Sequence, residues 1–205
     1  MLIDHLVVSG SHLKEACEYV EDSLGVRMED GGKHKLFGTH NKLLGLNDGI
    51  YLECIAVDPS VPKPPYSRWF NLDNFSGNPR LTNWVCSCEN LNAKLAKLPI
   101  KVGEILNVSR GKLNWEIVVP QSGLLPFDGL FPAFIKWQSM HDHPSKKLKA
   151  NDYNLSNLKI THPEGEQIKY LLSDLDDKRV SIEVGKIFGL TAEFSNNFGK
   201  KVILG

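Results

Sequence analysis

One order of predicted elements occurs twice in this chain: a strand, a helix and then three strands. The apolar pattern of the first copy predicts a strand over 2–9, a helix over 12–24 and strands over 26–29, 34–46 and 50–57. The second copy predicts a strand over 82–88, a helix over 91–98 and strands over 102–108, 113–119 and 133–138. A repeated unit of this size restricts the fold more than any short motif, because one copy has to bury its apolar face against another.

A third, shorter copy follows, with a predicted strand over 158–161, a helix over 164–175 and strands over 180–184, 188–194 and 201–204. We therefore expect an α+β fold of repeated βαβββ modules. Residues 1–145 are expected to hold two paired modules, 1–58 and 80–139, joined by a linker over 59–79 that is rich in proline and aromatic residues. Residues 154–205 are expected to form a smaller βαβββ-like unit.

Composition excludes several classes of protein. The 205 residues include 24 Lys and Arg against 24 Asp and Glu, so the basic surplus of a general nucleic-acid-binding protein is missing. No apolar run approaches the length of a membrane span, and the first residues lack the pattern of a secretory signal. The four cysteines are too few and too scattered for a structural zinc site. We expect a cytoplasmic protein with reduced thiols that binds neither nucleic acid nor membrane.

Several segments resemble one known group of proteins. The opening Ile3-Asp4-His5-Leu6-Val7-Val8, with a helix that ends in Leu24-Gly25-Val26, is similar to the start of proteins of the vicinal oxygen chelate superfamily. That superfamily includes glyoxalase I, the extradiol dioxygenases and the fosfomycin and bleomycin resistance proteins. Within that superfamily the chain most resembles the glyoxalase-like domain branch. The segments that carry this resemblance are 31–41, 49–59, 125–127, 134–137 and 143–144.

The resemblance implies a cleft between paired modules, in which His or Glu from the first and last strands holds a divalent metal. At the matching positions of module one stand His5 and Glu53, which would serve as metal ligands and as catalytic residues. The alternation of strands agrees: His5 shares a face with Val7, and Glu53 shares one with Tyr51.

Module two departs from that pattern. Its first-strand position is Asn83, and its last-strand position is aligned with Lys136. A protonated amine cannot bind a metal. We therefore expect a divalent metal to be absent or weakly bound and Lys136 to lie in the cleft, paired with Glu53. The alternative is a weaker metal site of His5, Glu53 and one of His34 or His40.

Further ligand contacts are expected from polar and aromatic side chains of both modules. His34, Thr39 and Asn41 fall in one glycine-bounded segment, and Trp84 follows Asn83 in the second first strand. His141 and His143, by contrast, are expected in a solvated loop.

Two functions remain open. The first is an enzyme acting on a small molecule with vicinal oxygens, by a lyase, isomerase or dioxygenase type of reaction with Glu53 as the base. The alternative is a non-catalytic small-molecule binding or resistance protein of the same superfamily. The tryptophans of the strands would also suit a homodimer face.

Overall fold

The computed structural model describes all 205 residues. Module one consists of one helix and four strands: β1 (Leu2–Ser9), α1 (Leu13–Leu24), β2 (Glu29–His34), β3 (Thr39–Gly45) and β4 (Tyr51–Val57). Module two repeats this order: β5 (Arg80–Ser87), α2 (Leu91–Lys97), β6 (Glu104–Arg110), β7 (Leu113–Val119) and β8 (Ala133–Trp137). The predicted order of elements is confirmed in both copies.

The strands of both modules form a single eight-stranded sheet in the order β2-β3-β4-β1-β5-β8-β7-β6. The modules meet at the centre, where β1 and β5 pair in antiparallel fashion, while β1 pairs with β4 in parallel. The sheet is strongly curled into a half-barrel. His5 and Glu53 lie on its concave face.

The linker between the modules packs against this concave face. A 3₁₀ segment covers Trp69–Asn74, and Trp69, Phe70 and Leu72 are buried there. The aromatic residues that make the linker unusual in sequence therefore belong to the core of the cleft.

The third module forms a second sheet of four strands, β9 (Tyr153–His162), β10 (Val180–Val184), β11 (Gly189–Asn196) and β12 (Lys201–Leu204), with the short helix α3 (Gly165–Leu171). Their order is β10-β9-β11-β12. Strand β9 is longer than predicted because it pairs with β11 along most of its length, including the polar residues from Tyr153 onward.

Strand β2 differs most from the sequence-based expectation. Asp30-Gly31-Gly32, whose residue types are typical of a turn, lies inside β2 at an irregular step of the pairing with β3. A Cβ on Gly31 would lie 2.1 Å from Oδ1 of Asn41. These glycines therefore serve a close approach between strands, and the turn comes later, at Gly38, whose φ is +58°.

Two apolar cores lie on opposite sides of the large sheet. The larger core holds the buried faces of α1 and α2 and most of the buried residues of the third module. The smaller core fills the concave face with residues of both modules and of the linker. None of the helices has the length and apolar character needed to cross a membrane.

Candidate functional site

His5 and Glu53 meet on the concave face of the sheet. They stand on the adjacent parallel strands β1 and β4, and Val7 is the register partner of Glu53. Nε2 of His5 lies 3.5 Å from Oε2 of Glu53, and both side chains are buried. The predicted placement of the two side chains in one cavity is confirmed.

Asp4 lies directly behind His5, a contact that alternation along a regular strand would forbid. The pairing of β1 with β5 shifts between Ile3 and His5, and this irregularity lets two consecutive side chains meet. Oδ1 of Asp4 is 2.7 Å from Nδ1 of His5, while Oδ2 accepts a hydrogen bond from Nε1 of Trp137 over 3.0 Å. Asp4 was not among the predicted site residues, because in a regular strand it would face the opposite side of the sheet from His5.

The third partner of Asp4 is His143, a residue expected in a solvated loop. That expectation is wrong for His143, which is buried with Nε2 3.1 Å from Oδ2 of Asp4. Nδ1 of His143 accepts from the backbone N–H of Ser145, so Nε2 carries the proton that it donates to Asp4. The neighbouring His141 is exposed, as expected.

The pKa values of these groups follow from their partners. Burial alone would lower the pKa of His5, but hydrogen bonds to Asp4 and Glu53 outweigh it and raise that pKa to about 9. Burial would raise the pKa of Glu53, but the hydrogen bond and charge of His5 bring it down to about 2. The pKa of Asp4 also lies below its usual range, since the bonds to His143 and His5 outweigh burial. At neutral pH the site holds an imidazolium between two carboxylates.

A second set of polar groups continues from Glu53 toward module two. Nδ2 of Asn41 donates to Oε1 of Glu53 over 2.5 Å. Arg110, at the end of β6, donates from Nη1 to Oδ1 of Asn41 over 2.9 Å and to Nε2 of His34 over 3.1 Å. His34 is neutral: burial, together with the charge of Arg110, lowers its pKa to about 4. Its Nδ1 therefore donates to Oγ1 of Thr39.

Aromatic rings form the walls around these polar groups. Tyr51 stacks on the ring of His5 with centroids 4.5 Å apart. Trp69 and Phe70 of the linker and Trp115 and Trp137 of module two complete the walls. The cavity that these residues line has a volume of about 30 Å³, which is room for one or two water-sized groups.

The expected position of Lys136 is wrong. Its side chain is 44% exposed and lies 3.4 Å from Glu116, not from Glu53. The neighbouring residues Ile135 and Trp137 face the cavity instead. The alignment of module two was therefore off by one residue at its last strand, and a shift of one residue turns every side chain to the other face.

Asn83 and Trp84 do not line the cavity of His5 and Glu53. Asn83 is buried and faces the concave side, but Val85 is the residue opposite His5, and Asn83 donates to the carbonyl of Gly129. Trp84 points to the opposite side of the sheet, where it is buried in the larger core and donates to the carbonyl of Leu130.

Alternation of side chains along β3 decides which of its residues face the cavity. Asn41 lines the cavity, and Thr39 is buried behind His34. His40 has the opposite parity, and its register partner is Ala56, so it does not join His5 and Glu53.

The residues present do not fit the divalent metal of the superfamily. No group of three or more His, Cys, Asp or Glu side chains is arranged to hold a metal ion. Both ring nitrogens of His5 are engaged by carboxylates, and module two contributes the cation Arg110 where a ligand would be needed. A fixed guanidinium opposes a second positive charge at the same place.

Two solved structures are similar to this chain, and the first of them shares its fold. A protein from Staphylococcus aureus described as hypothetical has a similar structure, with 17% identity, a TM-score of 0.66, and coverage of 91% of this chain and 87% of that one. Methylmalonyl-CoA epimerase from Mycobacterium tuberculosis is also similar, with 17% identity, a TM-score of 0.42, and coverage of 66% of this chain and 85% of that one. No curated protein matches the sequence.

The sequence also matches the family model described as a glyoxalase-like domain, over residues 3–175. With the paired modules and the curled sheet described above, this match establishes that the chain belongs to the glyoxalase-like domain family.

Proposed function

We propose that this protein binds a small planar molecule with an anionic oxygen in the cleft between modules one and two, without a divalent metal. The observation that carries the proposal is the state of Arg110. Its guanidinium contacts only the neutral groups of His34 and Asn41 at the cleft and forms no ion pair with any carboxylate of the protein. A half-buried cation without a charged partner favours an anionic ligand.

The walls of the cleft support the planar shape. Flat aromatic faces from both modules and the linker surround the polar groups, and such faces bind conjugated or aromatic molecules well. The cavity is small, so a ligand of this type has to widen it as it enters. The anionic oxygen would accept from Nε or Nη2 of Arg110, which donate no hydrogen bond within the protein, so that Arg110 keeps its contact with Asn41.

The experiment is a fluorescence titration, because Trp69, Trp115 and Trp137 line the cavity. Benzoate is the anionic probe, and benzamide, with nearly the same shape and no charge, is its control. We expect benzoate to change the emission in a saturable way, and Arg110→Gln to weaken its binding about tenfold or more, as the loss of a charge-assisted hydrogen bond implies. Lys112→Gln removes an exposed charge from the same hairpin and should leave the affinity unchanged.

Equal affinity for benzamide and benzoate, or an unchanged affinity in Arg110→Gln, would contradict the proposal. A chelator such as EDTA in the titration should have no effect, because no step of the proposed binding uses a metal.

A second candidate function is acid–base catalysis in the same cleft. It is favoured by the opposite pKa shifts of His5 and Glu53, which leave a proton donor and an ionised carboxylate 3.5 Å apart. Such a pair could move a proton at a carbon next to a carbonyl group. The test is phenylpyruvate in D₂O, followed by NMR: catalysis predicts C3–H exchange that is faster with the protein and is lost in Glu53→Gln. Exchange at the uncatalysed rate would leave binding as the function.

A further inference from the structure

A second cavity lies apart from the cleft, between the linker, the loop that follows β7 and the third module. Its volume is about 420 Å³, and its walls include residues of β5 and β11. Phe70 lines both this cavity and the cleft, so the two share a wall.

Unusual backbone conformations surround this cavity. The structure has four non-glycine residues with positive φ, and they form two consecutive pairs, Phe70-Asn71 at 55° and 54° and Phe127-Asp128 at 55° and 56°. Three of the four line the cavity. Asn and Asp adopt this conformation more readily than other residues, so among the lining residues the strain lies at Phe70, and backbone strain of this kind clusters at ligand sites.

The cavity has one positive and one negative lining side chain, each with free hydrogen-bonding atoms. Arg80 uses only Nη1, toward the carbonyls of Ser76 and Asn78, which leaves Nε and Nη2 without hydrogen bonds. Oδ2 of Asp128 accepts a hydrogen bond from His162, whereas Oδ1 of Asp128 has no hydrogen-bond partner in the protein.

The remaining lining adds apolar rings and one unsatisfied amide. The rings of Phe70, Phe75 and Phe188 line the cavity, and the guanidinium of Arg80 lies 4.4 Å from the ring centre of Phe75. Asn83 is buried, and its Oδ1 has no hydrogen-bond partner. An acceptor of this kind is normally satisfied by a donor, from the protein or from a ligand.

We propose that this cavity is a binding site for a free amino acid with an apolar side chain. The carboxylate of the ligand meets the Nε–Nη2 edge of Arg80, a geometry that matches two parallel hydrogen bonds. Its ammonium group meets Oδ1 of Asp128. Its side chain packs among the three phenylalanine rings, and no bond is made or broken.

The test is isothermal titration calorimetry of the full chain with L-phenylalanine. We expect saturable binding of one molecule per chain. Hydrocinnamate, which lacks the ammonium group, and phenethylamine, which lacks the carboxylate, should each bind about tenfold more weakly or worse, because each loses one charge-assisted contact.

Matched variants assign the binding to this cavity. Arg80→Gln and Asp128→Asn should each weaken L-phenylalanine binding about tenfold or more. The exposed pair Arg27→Gln and Asp152→Asn, which makes the same charge changes elsewhere, should leave it unchanged. Arg110→Gln, in the cleft, should also leave it unchanged.

Three results would overturn the proposal: no heat of binding up to the solubility limit of L-phenylalanine, equal affinity for all three probes, or binding lost in Arg110→Gln and kept in Arg80→Gln. The last would place the ligand in the cleft instead. Because the three probes are compared on the unmodified protein, the test does not depend on the folding of any variant.

Discussion

Arg110 of module two donates a hydrogen bond from Nη1 to Oδ1 of Asn41 in module one, over 2.9 Å. Asn41 in turn contacts Glu53, since its Nδ2 donates a hydrogen bond to Oε1 of that residue. The guanidinium of one module is thus connected to the buried carboxylate of the other through a single amide. This connection lies in the cleft, where the resemblance implied a metal, and the proposed function assigns anion binding to Arg110.

Gly32→Ala should displace Arg110 and weaken benzoate binding. A Cβ on Gly32 would lie 2.8 Å from Cδ of Arg110, and the flexible Arg side chain is the part that can give way. We expect a loss of affinity in the same direction as in Arg110→Gln, measured by tryptophan fluorescence. Gly189→Ala is the control, because its Cβ would contact nothing within 4 Å. Unchanged affinity in Gly32→Ala would mean that the observed position of Arg110 does not matter for binding.

Asp4→Asn should lower the pKa of His5 from about 9, because the carboxylate of Asp4 is a main source of the increase. His5 contributes stability fully below its unfolded pKa of about 6.5, and this contribution is lost as the pH rises through about 9. The variant should therefore flatten the alkaline decline of the free energy of unfolding. NMR titration of the His5 ring protons measures the pKa directly, with the exposed His141 as an internal reference. An unaltered His5 pKa in Asp4→Asn would contradict the assignment.

His34 should make the protein less stable in acid. Its pKa is about 4 in the folded protein and about 6.5 when unfolded, so its contribution is present above pH 6.5 and is lost as the pH falls through 4. The difference corresponds to about 3 kcal/mol. The free energy of unfolding is measured by urea unfolding at pH 6.5 and at pH 4. Its decrease between these two pH values should be smaller in His34→Gln than in the unmodified protein, and unchanged in His141→Gln. A decline of the same size in His34→Gln would show that other groups cause it.

Lys136→Ala should leave the cleft unchanged. The side chain is 44% exposed, and its pairing with Glu116 contributes about 1 kcal/mol or less to stability. Benzoate affinity should remain that of the unmodified protein. Trp137→Phe, one residue further on, removes the donor to Asp4 and should reduce the affinity. If Lys136→Ala reduced the benzoate affinity and Trp137→Phe did not, Lys136 would belong to the cleft, as the sequence alignment of module two predicted.

The purified protein should carry well under one equivalent of tightly bound divalent metal and should lack methylglyoxal–thiol isomerase activity. The reason is the shortage of ligands together with the charge of Arg110. Metal analysis after gel filtration measures this. One equivalent of zinc, nickel, iron or manganese that disappears in His5→Ala would contradict it, and His34 would be the first further ligand to examine.

The repeated modules could be predicted from the sequence because apolar periodicity marks nearly every element, the exception being β2, whose residues Glu29–His34 include no apolar side chain. The placement of His5 beside Glu53 was implied by the resemblance, and the alternation of their two strands agreed with it. The same reasoning could not predict the contact between Asp4 and His5, because it depends on an irregular step in the backbone of β1. The shift near Asp4 brings two successive side chains together, and nothing in the residue types announces it.

Contacts between distant segments were also beyond the sequence. Arg110 and His143 each reach the site from outside the strands that carry His5 and Glu53, and their pairing depends on how the modules close. Lys136 was misplaced because the last strand of module two is short, and its parity cannot be fixed by so few residues.

The central place of β1 in the large sheet has a consequence for how the chain is made. β1 leaves the ribosome before both of its neighbours, β4 and β5, and presents two open hydrogen-bonding edges until they follow. The strand that carries Asp4 and His5 is thus the part of the sheet most exposed to wrong pairing during synthesis, and its two buried charged side chains oppose association with other apolar strands in that interval.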